Sequence, residues 1–415
     1  MAEAASHPRH AGIELGRAVA MLAVVLIHVP PPPAWNALLR PLAEFGVPYF
    51  FVVSGFLWAR GHLARRSARL APVSPASPAS PLPPGSAAPS TRAWSAWRAA
   101  LGPLPRLLGL YALGFVAYSL LPLDWLTALL HRRLLASVAA TAQATLTALA
   151  RAPLGTLFDG PPGGFHLWFL ASLALGLGTV MLGVRLRRAR LLGGTAVALF
   201  VFGLLAGRYA ATPLGIPLGW SVRNGPFQAV LLVGVGALLA QRMSAQELAR
   251  EPANGGPRVR RGWGPLGLAL GWLIAFAERH ALGAIEAQPG EPDVYSLAVL
   301  PLGLGAFFCF HDLRITSPRV RRAATWLGGT TLGVYLWHVL LRVPLASVLA
   351  VLGLYPARGT NPTWGFAALF ALSVLCVLLW RTGLRLCAHG RRRWSGRGAG
   401  RGGLDQRPPI ELEGV

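Results

Sequence analysis

Lysine is absent from this 415-residue chain: all 39 side chains of the Lys/Arg class are arginine, set against 15 acids. So one-sided a choice follows genome composition and carries no functional weight. Charge as a whole is scarce. Only 13% of residues are charged, about half the ~25% of an average soluble domain, which excludes a water-soluble globular class. Cysteine is almost missing too. Cys309, Cys376 and Cys387 fall in or beside apolar runs, without metal-ligand or disulfide spacing, and read as small hydrophobes. No long soluble segment and no internal repeat occurs.

What is there is apolar sequence. Hydrophobic residues make up 53% of the chain and the mean hydropathy is +0.49, the composition of an all-α polytopic membrane protein. Ten candidate transmembrane spans follow, at about 12–30, 45–60, 107–123, 166–184, 191–206, 226–240, 263–281, 294–311, 327–354 and 364–381. A net charge of +24 would suggest nucleic acid in a soluble chain, but these arginines sit in short loops between apolar runs. With the N-terminus in the cytoplasm, 30 of the 39 arginines fall in inside segments, as the positive-inside rule requires. That bias needs both termini cytoplasmic, hence an even number of spans. The expected location is the cell inner membrane, with the lipid bilayer as partner and no nucleic acid.

The segments between spans differ in kind. The first ten residues are too short and polar for a cleavable signal, so the first helix is expected to remain as an anchor. Residues 71–91 are Ser/Pro/Ala-rich and read as a disordered cytoplasmic linker inside a domain covering 1–381. The longest outside segment, 124–160, carries an alanine-rich amphipathic or re-entrant helix over LLASVAATAQATLTALA. Residues 382–415 form a basic, largely disordered tail suited to anionic lipid heads.

The stretch Glu14–Val29 carries the first chemical signal. Arg17 and His28 lie about three turns apart on one helix face, His28 roughly 16 Å deeper. That places the arginine near the cytoplasmic surface and the histidine near the middle of the bilayer. A charged group at a membrane-helix centre costs about 2.5–3.5 kcal/mol on insertion scales, so an aligned pair points to function. A structural histidine at a helix interface and a positive-inside anchor are the competing explanations.

Further motifs stand along the chain in order. VPYFFVVSGFL contains Phe50, Phe51, Ser54, Gly55 and Phe56; FHLWFL contains His166 to Leu170; RNGPF holds Arg223 and Asn224; LGGTTLGVYLWH holds Gly333, Tyr335 and His338. Together with Arg17, His28 and Glu14, the set resembles the membrane-bound acyltransferase 3 family, which O-acylates bacterial cell-envelope sugars. One departure is Gly109, where the family commonly has a second arginine after Arg106.

The resemblance implies transfer of an acyl group, acetyl being the expected one, from acyl-CoA on the cytoplasmic side to a hydroxyl of an envelope glycan or lipid-linked sugar. A sugar hydroxyl is a poor nucleophile and needs a base within hydrogen-bond reach. His28 in apolar surroundings is uncharged and able to take a proton; a covalent acyl-histidine is the alternative. Arg17, held by Glu14, with Arg106 and Arg66, would meet the donor's phosphates. His338, which enters from the same side and reaches a similar depth, would face the same cavity with Tyr335 and Ser54, although Ser54 and Gly55 also suit close helix packing. His166, Trp168, Arg223 and Asn224 would bind the acceptor. Glu278, Arg279 and His280 read as a solvated helix end, and Arg342 as an intramembrane cation needing a partner. No metal is expected. A transporter or flippase is the second function class, disfavoured because no paired interrupted helices occur in corresponding halves.

Overall fold

The computed structural model describes residues 10–29, 32–70, 102–218, 222, 224–249, 262–282, 296–354 and 363–398. The linker 71–91, Arg223 and the tail from residue 399 lie outside the described residues. Among those described there is no β-strand. In lipid every backbone N–H and C=O must be satisfied within the protein, and a helix does this from one segment.

A helix stands at each apolar run. These are α1 (Ala11–His28), α3 (Gly46–Leu70), α4 (Leu104–Leu120), α8 (Trp168–Arg185), α9 (Ala189–Ala206), α10 (Pro226–Ala249), α11 (Trp263–Leu282), α12 (Val299–His311), α13 (Pro318–Val351) and α14 (Gly365–Gly398). Among the described residues seven helical stretches are long and apolar enough to cross a membrane, and α4 and α12 are apolar but shorter. Between them lie α2 (Pro33–Ala43), and α5 (Trp125–Leu130), α6 (Leu134–Arg151) and α7 (Pro153–Asp159) in the long connection before α8. The alanine-rich run of that connection is the 18-residue α6, with Thr145 as its buried residue. Helix α14 continues to Gly398 through the first part of segment 382–415.

Two lengths matter for the site. Helix α1 ends at His28 after 18 residues, about 27 Å of rise. His28 therefore lies at the far end of the helix from the N-terminus. The cause is the run Pro30–Pro33, which cannot supply N–H groups to continue the ladder. Helix α13, by contrast, has 34 residues and rises about 51 Å, more than the ~30 Å hydrocarbon core.

The core is built on backbone contact. Helices α3 and α10 cross so closely that a Cβ at Gly55 would lie 2.0 Å from the Val233 carbonyl oxygen, and one at Gly236 would lie 2.0 Å from that of Val52. Glycine is required on both sides of the crossing. This approach packs Phe51, Val52, Phe56, Leu232 and Val233 out of solvent. Helix α1 runs against α3, α12, α13 and α14, so both ends of its polar face are enclosed by protein.

Candidate active site

The C-terminal end of α1 meets the middle of α13. His28 Nδ1 lies 2.8 Å from Val24 O and 3.3 Å from His338 Nε2. His338 Nδ1 in turn lies 2.8 Å from Tyr335 O and 3.2 Å from Val334 O. Carbonyl oxygens only accept, so Nδ1 carries the proton in both rings. His338 Nε2 then accepts from His28, and the lone pair of His28 is on Nε2. The two rings are 4.9 Å apart between centroids at 60°.

A third histidine closes the group. His166 sits in the 3-10 turn Phe165–Leu167 that leads into α8, with its ring 5.3 Å from that of His338. Tyr118 and Tyr335 flank it at 4.8 and 5.1 Å, and Tyr335 donates to the His166 carbonyl. His166 is 1% exposed, yet neither ring nitrogen has a hydrogen-bond partner among the described residues. A buried polar atom left unpaired costs about 1–3 kcal/mol, so this ring holds unused binding capacity. Phe165 packs 5.5 Å from His28.

Arg342 and Trp125 fix the frame. Arg342 Nη1 donates to His28 O at 3.3 Å, which answers one of the orphan carbonyls at the negative end of α1. Two residues on, Pro344 has no N–H for Leu340 O, its partner in a regular helix. Trp125 Nε1 fills that gap at 3.1 Å, and Tyr118 OH bonds Leu336 O at 2.7 Å. The long connection and α4 are thus tied to the same stretch of α13.

Toward the other end of α1, Glu14 accepts from Arg17 Nη1 through both oxygens, at 3.0 and 3.2 Å. Arg17 Nη2 reaches Thr331 Oγ1 at 3.2 Å. Glycine makes room for the pair: a Cβ at Gly328 would lie 2.1 Å from Glu14 Oε2. Arg381 donates to the neighbouring Gly329 carbonyl at 2.6 Å. The Arg17 charge is therefore met internally.

The other candidates are scattered. Tyr335 joins the histidines, whereas Ser54 is half-buried on α3 beside the Gly55 crossing. Trp168 is 7% exposed and belongs to the core against Phe169, not to the outer surface. Arg66 and Arg106 are exposed on α3 and α4, and a Cβ at Gly109 meets nothing within 4 Å. Asn224 is buried and donates to Asp159 at the end of α7, while Ser172 of α8 accepts from Gly225 N at 2.9 Å. Glu278 is no solvated end. It is 7% exposed and accepts from Tyr209 OH at 2.6 Å and Leu297 N at 3.0 Å, and Arg279 pairs with Glu44 at 2.8 Å.

Sequence reasoning missed Thr331, Tyr118, Trp125 and Gln228. Thr331 had a signal, since it precedes His338 by seven residues, two turns on one face. Gln228 is 1% exposed with both amide atoms unpartnered among the described residues, and nothing in its neighbourhood in sequence marks it. Among the described residues no group of three or more His, Cys, Asp or Glu is arranged to hold a metal ion.

Comparison with known protein families finds a match along most of the chain. A family model described as an acyltransferase domain covers residues 10–381. No curated protein and no solved structure matches.

Proposed function

The chain belongs to the acyltransferase 3 family, and from that premise we propose a membrane-bound O-acyltransferase that uses His28 as general base on a sugar hydroxyl. The observation that carries this reading is the 3.3 Å contact between His28 Nδ1 and His338 Nε2, which, with Val24 O, puts the lone pair of His28 on Nε2. In the proposed step Nε2 takes the acceptor's O–H proton as its oxygen attacks the acyl carbonyl. The thioester C–S bond then breaks and the departing thiolate takes up that proton from Nε2. His338 positions the base. His166 offers its unpartnered nitrogens to a second hydroxyl of the acceptor, an envelope glycan or lipid-linked sugar.

The proposed topology is ten crossings with both termini cytoplasmic, in the inner membrane. The acceptor then enters from the outer side, where α5–α7 and the end of α1 lie. The proposed donor is acyl-CoA, acetyl by preference. Arg17 fits its phosphates poorly, because Glu14 already meets the guanidinium. Arg106 and Arg66 fit better: both are exposed, and Gly102, one turn before Arg106, abuts Trp58, about two turns before Arg66.

The test is acyl transfer in inside-out vesicles supplied with labelled acetyl-CoA. Label in alkali-labile glycan esters, lost in His28→Ala, is the expected result. Full transfer by His28→Ala overturns the base assignment; esters formed from endogenous donor alone overturn the acyl-CoA assignment.

A further inference from the structure

Away from the histidines, α8, α9 and α10 part to leave a cavity of about 400 Å³. Val180, Leu192, Ala196, Val197, Leu231 and Leu238 wall it. Polar side chains occur at one end, where Arg187 and Gln241 join the lining. Arg185 at the end of α8, Arg188 in the turn and Arg190 at the start of α9 flank Arg187, all exposed. Among the described residues none of these four arginines has an acidic partner. Arg187 is held at φ 54°, in the left-handed region that non-glycine residues adopt rarely. That tight turn keeps the cations at the mouth of the cavity.

The dimensions identify the setting. From Val180 to Arg185, at the end of α8, is about 8 Å of helix, and from Leu231 to Gln241 on α10 about 15 Å. The longer of the two equals the depth of one leaflet of a ~30 Å hydrocarbon core. The slot also opens to the side, since α9 is the least enclosed wall, with Leu191, Val197 and Val201 exposed.

We propose that this slot is a binding site for an anionic phospholipid, one acyl chain lying between α8, α9 and α10 and the headgroup phosphate on the arginines of the α8–α9 turn. A slot one leaflet deep, apolar along its length and cationic at headgroup level matches a lipid in both parts. A zwitterionic lipid carries its own cation to the same place and loses the benefit of the arginine cluster. One basic residue near an anionic lipid favours it by about fivefold, so a preference of at least that size is expected. The proposal is independent of the acyl-transfer reading.

Glycine makes the steric test clean. A Cβ at Gly193, which lines the slot, meets nothing within 4 Å, so Gly193→Phe fills the space from inside without displacing backbone. Full-length protein is purified, offered equal amounts of phosphatidylglycerol and phosphatidylcholine with the same chains, and examined by native mass spectrometry. Wild type should retain phosphatidylglycerol at fivefold or greater excess. Arg187→Ala/Arg188→Ala should reduce that excess at least fivefold, and Gly193→Phe should lose the retained lipid. If Gly193→Phe is not monodisperse, Val197→Trp, on the exposed wall of the same slot, serves instead. Equal retention of the two lipids overturns the proposal, as does undiminished retention by the filled variant. Displacement of the lipid by palmitoyl-CoA at equimolar concentration also overturns it, because the slot would then belong to a donor.

Discussion

Replacing His338 by alanine should slow acyl transfer about 5–10-fold, far less than the loss of His28. In the proposed step His338 touches the reaction only through His28, and the shared hydrogen bond is the longer of two on Nδ1: 3.3 Å to His338 against 2.8 Å to Val24 O. A neutral hydrogen bond contributes about 1 kcal/mol net, and Val24 O still holds the ring after the change. Removing His28 would remove the proposed base itself, a loss of about 10²–10⁴-fold. Because one group acts through the other, the two effects should not add. His28→Ala/His338→Ala should be as slow as His28→Ala alone, within about twofold. Alkali-labile acyl groups on envelope glycans, measured against protein level in cells making each variant, give the four rates without knowledge of the acceptor. A His338→Ala loss as large as that of His28→Ala, with a double variant slower by the product, would refute the reasoning and make His338 a second catalytic group.

Other consequences are structural. Trp125→Phe leaves Leu340 O without a donor, because Pro344 has none to give, and should cost about 1–3 kcal/mol in thermal or detergent unfolding; in a Pro344→Ala background the same change should cost clearly less, and equal costs in both would sink the explanation. Glu14→Gln strands the Arg17 guanidinium, whose side chain is 26% exposed beside a carboxylate at 8%; the expected loss is about 2–3 kcal/mol, below the 3–5 of a fully buried pair, and Glu14→Gln/Arg17→Met should regain part of it in the same assay. His10 caps α1, its Nδ1 accepting from Ile13 N at 3.5 Å. Burial, then repulsion from His311 and Arg60, holds its proton affinity below the ordinary value, with Asp312 opposing. Because the unfolded chain binds the proton more readily, stability should fall as pH drops through about 6.5. His10→Asn, a good cap, should flatten the fall in melting temperature between pH 7.5 and 5.5; an unchanged slope would rule His10 out as its source.

Much of the arrangement was legible because it is one-dimensional. The spacing of Arg17 and His28, and the count from Leu327 to His338, are distances along helices of fixed rise; they gave the two histidines a similar depth, and the contact between them is added by the packing of α1 on α13. Where the helix ended was also written in the chain, in Pro30–Pro33, but a hydropathy window runs over such a signal. What sequence could not supply was lateral. Pro344 announces a carbonyl without a donor, yet nothing in Trp125, more than two hundred residues earlier, announces the answer. Glu278 reads as a solvated end until Tyr209 and Leu297 fold over it. Arg342 needed a partner, and that partner is a backbone carbonyl, which no side-chain pattern encodes.

Helices α1 and α13 are pinned to each other at three heights: Arg17 on Thr331, His338 on His28, and Arg342 on the last carbonyl of α1. Two rods joined that way cannot slide or roll past one another without breaking all three joints together. They act as the fixed jaw of the site. If the proposed donor and acceptor enter here, the opening is expected in the opposite jaw, the turn bearing His166 and the short helices α5–α7 before it. A crosslink between α1 and α13 should leave turnover intact, and one that ties α7 to α10 should stop it.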